Sequence, residues 1–237
     1  MEMEKVNAEM KQKDATLLAL QSQINPHFLY NTLEVINCQA ILSDVASISR
    51  MSKAMADFYR YTIDNPSTEV KLETEIEHVR TYLEIQSERY PDIELDLDGI
   101  EPYLHYPIIK LTLQPLVENA FNHAFVGDRD YYLKIYGMDA GAKAYAILIE
   151  DNGQGMEEQL LNKMNRLFWN NKDEEPDEED DPIPQQGNGI GLNNVHQRIR
   201  LRYGAAYGLS LQESWTGGVT VRVTLPKEGI RDENIDC

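Results

Sequence analysis

The chain has 237 residues, room for one large domain or two small ones, and contains no apolar run near the roughly 18 residues that a membrane span needs. Its 22 basic against 40 acidic residues give a formal net charge of -18, which argues against sequence-independent nucleic-acid binding, because phosphate neutralisation needs clustered Lys and Arg. Cys38 and Cys237 form neither a disulfide framework nor a metal knuckle, and MEMEKVNAEMKQKD is not followed by an apolar core with a cleavage site, so a reducing cytoplasm is the expected compartment.

The first expected element is a long amphipathic helix. Val6, Met10, Lys13, Leu17, Leu20 and Ile24 fall at alternating steps of four and three, the heptad spacing of a coiled coil that only Lys13 interrupts. Continuing that phase gives His27, Asn31 and Glu34, all polar, while the apolar stripe resumes at Leu29, Leu33, Ile36 and Ala40. The stripe has moved by two residues, about 200° on a helix that turns about 100° per residue. The jump coincides with Pro26, which removes a backbone hydrogen bond and kinks the helix. Two readings of His27 stay open: display on a polar strip beside Asn31 and Glu34, or burial as a continuation of the first seam.

A second helix is expected in SDVASISRMSKAMADFYRYTID, with Val45, Ile48, Met51, Met55 and Phe58 on its apolar face, before NPST at 65–68 breaks it. A third, LETEIEHVRTYLEIQSERY, carries Leu72, Ile76, Val79 and Leu83 and stops at Pro91. Residues 1–91 therefore read as an all-helical domain, with no glycine before Gly99.

From Asp92 the period changes to two in IELDLDGI. A helix in IIKLTLQPLVENAFNHAF (108–125) follows, then strands in YYLKIYGMD and KAYAILIEDNG, a charged segment, a helix in GLNNVHQRIRLRYG, and strands in GLSLQES and GGVTVRVTLP. Residues 92–237 thus read as an α/β sandwich, and the whole chain as α+β. The acidic run DEEPDEEDD (173–181), eight of nine side chains carboxylates, reads as a solvated loop or as a regulatory segment. Trp169 and Trp215 are expected to be packing residues.

Two glycine motifs carry chemistry. DNGQGM (151–156) ends an apolar strand, and GNGIGL (187–192) enters a helix. Glycine lets backbone amides approach a ligand, and a helix N-terminus offers free N–H groups to phosphate. Either motif alone is as consistent with a simple turn. The Rossmann and P-loop spacings are both absent, as are G-x-S-x-G and the zinc motif H-E-x-x-H.

In combination, an ENA helix followed by D-x-G-x-G and G-x-G-x-G-L resembles the Bergerat, or GHKL, ATP-binding fold. The resemblance implies that Asn119 holds Mg²⁺ against the ATP phosphates and that Asp151 receives the adenine amino group. Gly153 and Gly155 would shape the pocket, Gly187, Gly189 and Gly191 would line the phosphates beside Leu192, and an acidic lid would span about 157–186. With LQSQINPHFLYNTLEVI and LETEIEHVRTYLEIQSERY added, the chain resembles the LytS/YesM-type sensor histidine kinases over roughly residues 17–225. That likeness implies that His27 accepts the γ-phosphoryl group and that the helical hairpin pairs into a dimeric four-helix bundle. It also implies a response regulator with a receiver domain as partner, and membrane-embedded sensor segments upstream, so that the chain is the cytoplasmic portion of a cell-membrane protein. Asn31 or Glu34 would orient the His27 ring, or be polar surface.

Asn122 stands where the family commonly has a basic residue, which puts one phosphate contact in doubt; His123 could replace it or be a wall residue. Carboxylates in the lid would repel a triphosphate unless they point away or meet a basic partner. A hydrolysing ATPase of the same fold is disfavoured, because the position of its water-activating glutamate is Pro115 here. An ATP-binding coiled-coil scaffold with little kinase activity stays as the alternative.

Overall fold

A computed structural model describes residues 26–63, 68–87, 90–125, 130–169 and 188–229, the side chains at 26, 27, 123 and 188–190 excepted. The seam before Pro26, the kink itself, the acidic run 173–181 and Gly187 lie outside the described residues. The chain forms two compact units that divide between Asp64 and Asn65. Among the described residues no helix is long and apolar enough to cross a membrane.

The first unit is a helical hairpin of α1 (Pro26–Leu42) and α2 (Ala46–Ile63). Its turn is closed by Val45 N–H donating to the Ala40 carbonyl at 2.9 Å, with Asp44 at φ 54, a left-handed position that Asp tolerates better than most residues. Where the helices cross, the buried residues are Leu33, Ala40, Ser52, Ala54 and Ala56. Of the large apolar side chains expected on the packed faces, Ile36 is 41% and Ile48 49% exposed, and Phe28, Val35, Ile41 and Leu42, outside those stripes, are all more than 60% exposed.

The second unit carries a five-stranded sheet in the order β2-β4-β5-β7-β6, from β2 (Glu94–Asp96), β4 (Tyr132–Asp139), β5 (Ala144–Asp151), β6 (Gly208–Glu213) and β7 (Val219–Pro226). Only β2 and β4 run parallel; the other neighbours are antiparallel. β5 lies in the middle and is buried from Tyr145 to Asp151, which is why AYAILIED is a continuous apolar run with no alternation. A separate two-stranded ribbon pairs β1 (Glu69–Lys71) with β3 (Pro107–Ile109). The helices are α3 (Leu72–Gln86), α4 (Leu113–Asn119), α5 (Glu158–Trp169) and α6 (Asn188–Tyr203). Fully buried Leu72, Ile108, Leu113 and Leu116 each stabilise the unit by about 2 kcal/mol.

Several elements differ in extent or packing from the expectation. Residues up to 90 are not all helical, because β1 intervenes between the hairpin and α3. The third helix, expected with the helical domain ending at 91, packs on α4, β1 and β3 and so sits in the compact unit that begins at Asn65. The helix expected over 108–125 starts only at Leu113: Pro107–Ile109 is a strand, and Leu111 takes a left-handed φ of 58 that interrupts the chain between them. The segment expected as a lid from 157 begins instead with α5, fixed to the edge strand β6. There Asn165 both donates to the Leu211 carbonyl (2.7 Å) and accepts its N–H (2.8 Å), and Trp169 Nε1–H donates to the Leu209 carbonyl (2.9 Å). Its side chains thereby stand in for the neighbouring strand that β6 lacks on that side. Trp169 is partly packed in this way, whereas Trp215 is 87% exposed and is no core residue.

Candidate functional site

Asn119 is the last residue of α4, a helix of seven residues that continues as a single π turn over Ala120–Ala124. Such turns break the regular ladder and are frequent at functional sites. Here the turn is anchored from beneath, with Phe121 and Phe125 buried edge-on against one another and against Tyr90. Asn119 itself is half-buried, and its side-chain amide makes no hydrogen bond among the described residues.

α4 cannot cap itself. Thr112 precedes it, but its hydroxyl, which donates to the Ile109 carbonyl (2.6 Å), makes no capping bond to the N–H groups of the first turn. Those groups go to Glu75 of α3, a fully buried carboxylate. Oε1 accepts Leu111 N–H (2.7 Å), and Oε2 accepts Thr112 N–H (2.8 Å) and Leu113 N–H (2.9 Å). Arg198 of α6 donates to the Leu111 carbonyl of the same turn.

Asp151 ends β5, the central strand, and is 7% exposed. Its Oδ1 accepts Gly153 N–H at 2.9 Å and Val219 N–H at 3.3 Å, while its carbonyl accepts the Thr216 hydroxyl at 3.1 Å. The carboxylate is therefore held by its own loop on one side and by the β6–β7 turn on the other. Beside it, buried Glu150 accepts the Ser214 hydroxyl at 2.5 Å, and Ser214 also hydrogen-bonds Thr216 at 2.6 Å.

The glycines around Asp151 are required by close approach. A Cβ on Gly218 would lie 2.1 Å from the Asp151 carbonyl oxygen, and one on Gly153 would lie 2.2 Å from Ala124 Cβ and 2.6 Å from its backbone. Gln154 N–H donates to the Ala124 carbonyl at 3.1 Å. The D-x-G-x-G loop is thus seated on Ala124, at the end of the π turn that follows Asn119.

The remaining expected site residues are distributed as follows. α4 packs on α6, which carries Gly189 and Gly191; Gly191 is exposed, with nothing within 4 Å of its Cβ position, whereas Leu192 is buried in the core. Asn122 is exposed, and the His123 side chain lies outside the description. In the hairpin, His27 is in α1, and Asn31 and Glu34 are exposed. Glu34 faces Arg60 across the hairpin at 3.5 Å, a surface pair worth under about 1 kcal/mol. Thr216 and Gly218, which the sequence reading passed over, belong to the Asp151 cradle; the TGG at 216–218 before a strand was the available signal. Glu75 and Arg198 gave none.

A family model described as "Histidine kinase" matches residues 15–94, and one described as "Histidine kinase-, DNA gyrase B-, and HSP90-like ATPase" matches residues 106–229, more than half of the chain. The chain belongs to the sensor histidine kinases of this ATPase family. The first model runs through α3 and ends close to the boundary expected from sequence, although α3 packs within the second compact unit. Among curated relatives, Sensor histidine kinase YesM of Bacillus subtilis is 34% identical over 94% of this chain and 35% of that protein. Sensor protein LytS of Oceanobacillus iheyensis is 32% identical over 90% of this chain and 35% of its own length. The chain thus spans about a third of the length of the curated relatives it matches. Of solved structures, the catalytic domain of histidine kinase ThkA superposes with a TM-score of 0.48 at 19% identity, covering 68% of this chain and 97% of that one.

The chain's own residues fit an adenine nucleotide. The glycines at 153, 155 and 218 pack directly on Ala124, Gly217 and Asp151 and so hold the loop in place, and the Asp151 carboxylate, oriented by fixed N–H donors, is an acceptor suited to an amino group. For Mg²⁺, Asn119 offers one amide oxygen, which suits an ion held mainly by phosphates rather than by a protein cage.

Proposed function

We propose that this chain is the catalytic portion of a two-component sensor kinase that transfers the γ-phosphoryl group of ATP to His27 and then to an aspartate of a response regulator. The observation that carries this reading is the cradle around Asp151, seated against the turn that follows Asn119, in a chain whose PHF histidine lies on a helical hairpin. Asp151 would accept the adenine amino group. Gly187, Gly189 and Gly191 would admit the phosphates at the start of α6.

In the transfer step a nitrogen of the neutral His27 imidazole attacks the γ-phosphorus in line, the N–P bond forms as the bond to the β,γ-bridging oxygen breaks, and ADP leaves. The ring proton must then pass to a carboxylate or to water; Asn31 and Glu34, one and two turns along α1, would orient the ring, and of the two only Glu34 can take the proton. Mg²⁺, held by Asn119 together with the phosphates, would neutralise charge on the leaving diphosphate. Fixed N–H groups and Asp151 orient the base throughout.

The exposed apolar side chains of the hairpin, Phe28, Val35, Ile41 and Leu42 among them, support pairing with a second copy into a four-helix bundle. Relatives named as sensors, with the chain spanning only about a third of their length, support placing it as the cytoplasmic part of a membrane receptor.

The test is incubation of the chain with γ-labelled ATP and Mg²⁺ beside His27→Gln, followed by acid and alkali treatment. Acid-labile, alkali-stable label that is absent from the variant is the expected result. ATP binding without label would refute the transfer reading and leave a nucleotide-binding scaffold.

A further inference from the structure

α4 is too short to fix its own axis, since a helix of seven residues gains little from its internal hydrogen bonds. Its position is set from α3. Glu75, His78 and Tyr82 lie at i, i+3 and i+7 on one face of that helix. Glu75 takes the three N–H groups at the start of α4; His78 hydrogen-bonds Gln114 at 2.6 Å, and the Gln114 amide donates to Glu118 at 2.6 Å. Tyr82 meets Phe121 edge-on, with ring centroids 5.5 Å apart. α3 therefore runs beside α4 from its first N–H to the π turn and touches residues on both sides of Asn119. Glu75 bears most on the alignment, because it is fully buried, charged, and bonded to a turn whose Leu111 is held in a left-handed conformation.

We propose that Glu75 is a positioning residue for the metal–nucleotide site: it locks α4 against α3 and so fixes where Asn119 presents its amide oxygen to Mg²⁺. This rests on the nucleotide reading above. Glu75 touches neither ATP nor metal in this scheme; it acts through the α4 backbone. Its loss should therefore weaken the part of ATP binding that depends on Mg²⁺ and spare the part that depends on Asp151.

The test is titration of ATP into the wild-type chain and Glu75→Gln, once with Mg²⁺ and once with EDTA. Gln keeps one acceptor oxygen and sets an NH₂ donor against a backbone donor, a mild change. With Mg²⁺ the variant should bind ATP roughly tenfold more weakly, the scale of one lost charge-assisted hydrogen bond. In EDTA the two proteins should agree within about twofold on the same scale. Equal weakening in both conditions, or none in either, would overturn the proposal, the first outcome making Glu75 a purely structural residue. If the variant does not fold, amide hydrogen exchange of the wild type decides: ATP with Mg²⁺ should slow exchange at Leu111–Leu113 more than ATP in EDTA does. Indistinguishable exchange would overturn the proposal. A wild-type chain that binds no ATP in either condition would instead refute the nucleotide reading itself.

Discussion

The hairpin and the sandwich solve the burial problem in opposite ways. The sandwich closes on itself: its central strand is buried from Tyr145 to Asp151, and the charged groups in its interior, Glu75 above all, are paired within the unit. The hairpin buries small residues, Ala40, Ser52, Ala54 and Ala56, where its helices cross, and leaves Ile41, Leu42 and Ile48 outside. Two helices have too little shared surface to hide both apolar stripes. On the proposed function, the candidate nucleotide site is built within the sandwich, whereas the hairpin that carries His27 leaves apolar side chains for a second surface to cover.

The largest expected effect breaks the sandwich side. Gly153→Val would push the D-x-G-x-G loop off Ala124, since even the first added carbon lies 2.2 Å from Ala124 Cβ. Loss of ATP binding by about 100-fold or more, with a fall in melting temperature, is expected by calorimetry, because overpacking at a backbone contact has no cheap relief. Asp151→Asn should lose comparable affinity while keeping the melting temperature within a few degrees, as Oδ1 can still accept from Gly153 and Val219.

Next, Ile41→Glu with Leu42→Glu should sharpen the contrast from the other side. Sedimentation should show dimer association weakened by about 100-fold, on the scale of two desolvated apolar side chains, with ATP affinity unchanged. An equal loss of ATP affinity would mean that the two units are not separable in function.

A smaller effect concerns pH. Burial holds the His78 imidazole below its ordinary value of 6.5 despite its bond to Gln114, and burial likewise lowers His196, whose Nδ1 accepts Leu209 N–H at 3.0 Å. As pH falls through 6.5 the unfolded chain takes up these protons before the folded one, so the sandwich should lose stability by at most about 1.4 kcal/mol per pH unit for each proton. At pH above 7 neither histidine contributes. Denaturation series at pH 8, 7, 6 and 5 should show this slope, and His196→Asn should flatten it. The smallest effect is Trp215→Ala, expected within about 0.5 kcal/mol of the parent because the ring is exposed.

Much of the site is legible in the sequence because its signals are local. LVENAF, DNGQGM and the strand AYAILIED each carry a signal within a few residues: the first lies where a short helix runs into a π turn, and the last is the central strand. What was illegible is long-range. Glu75 reads as an ordinary acid in the first turn of a helix, and only folding brings it to amides 36 to 38 residues away. The third helix shows the same apolar period whether it joins a bundle or a sheet, so periodicity could not assign its unit. Leu111 at positive φ was invisible for a related reason: Leu has no intrinsic preference for that region, and Glu75 and Arg198 impose it from outside the local sequence.

The most direct measurement is mass spectrometry under alkaline conditions of the chain after incubation with ATP and Mg²⁺, beside Asp151→Asn. The prediction is one phosphoryl group on the His27 peptide, and none in the variant. ADP release with no phosphohistidine, or a phosphoryl group mapped to any other residue, would contradict it.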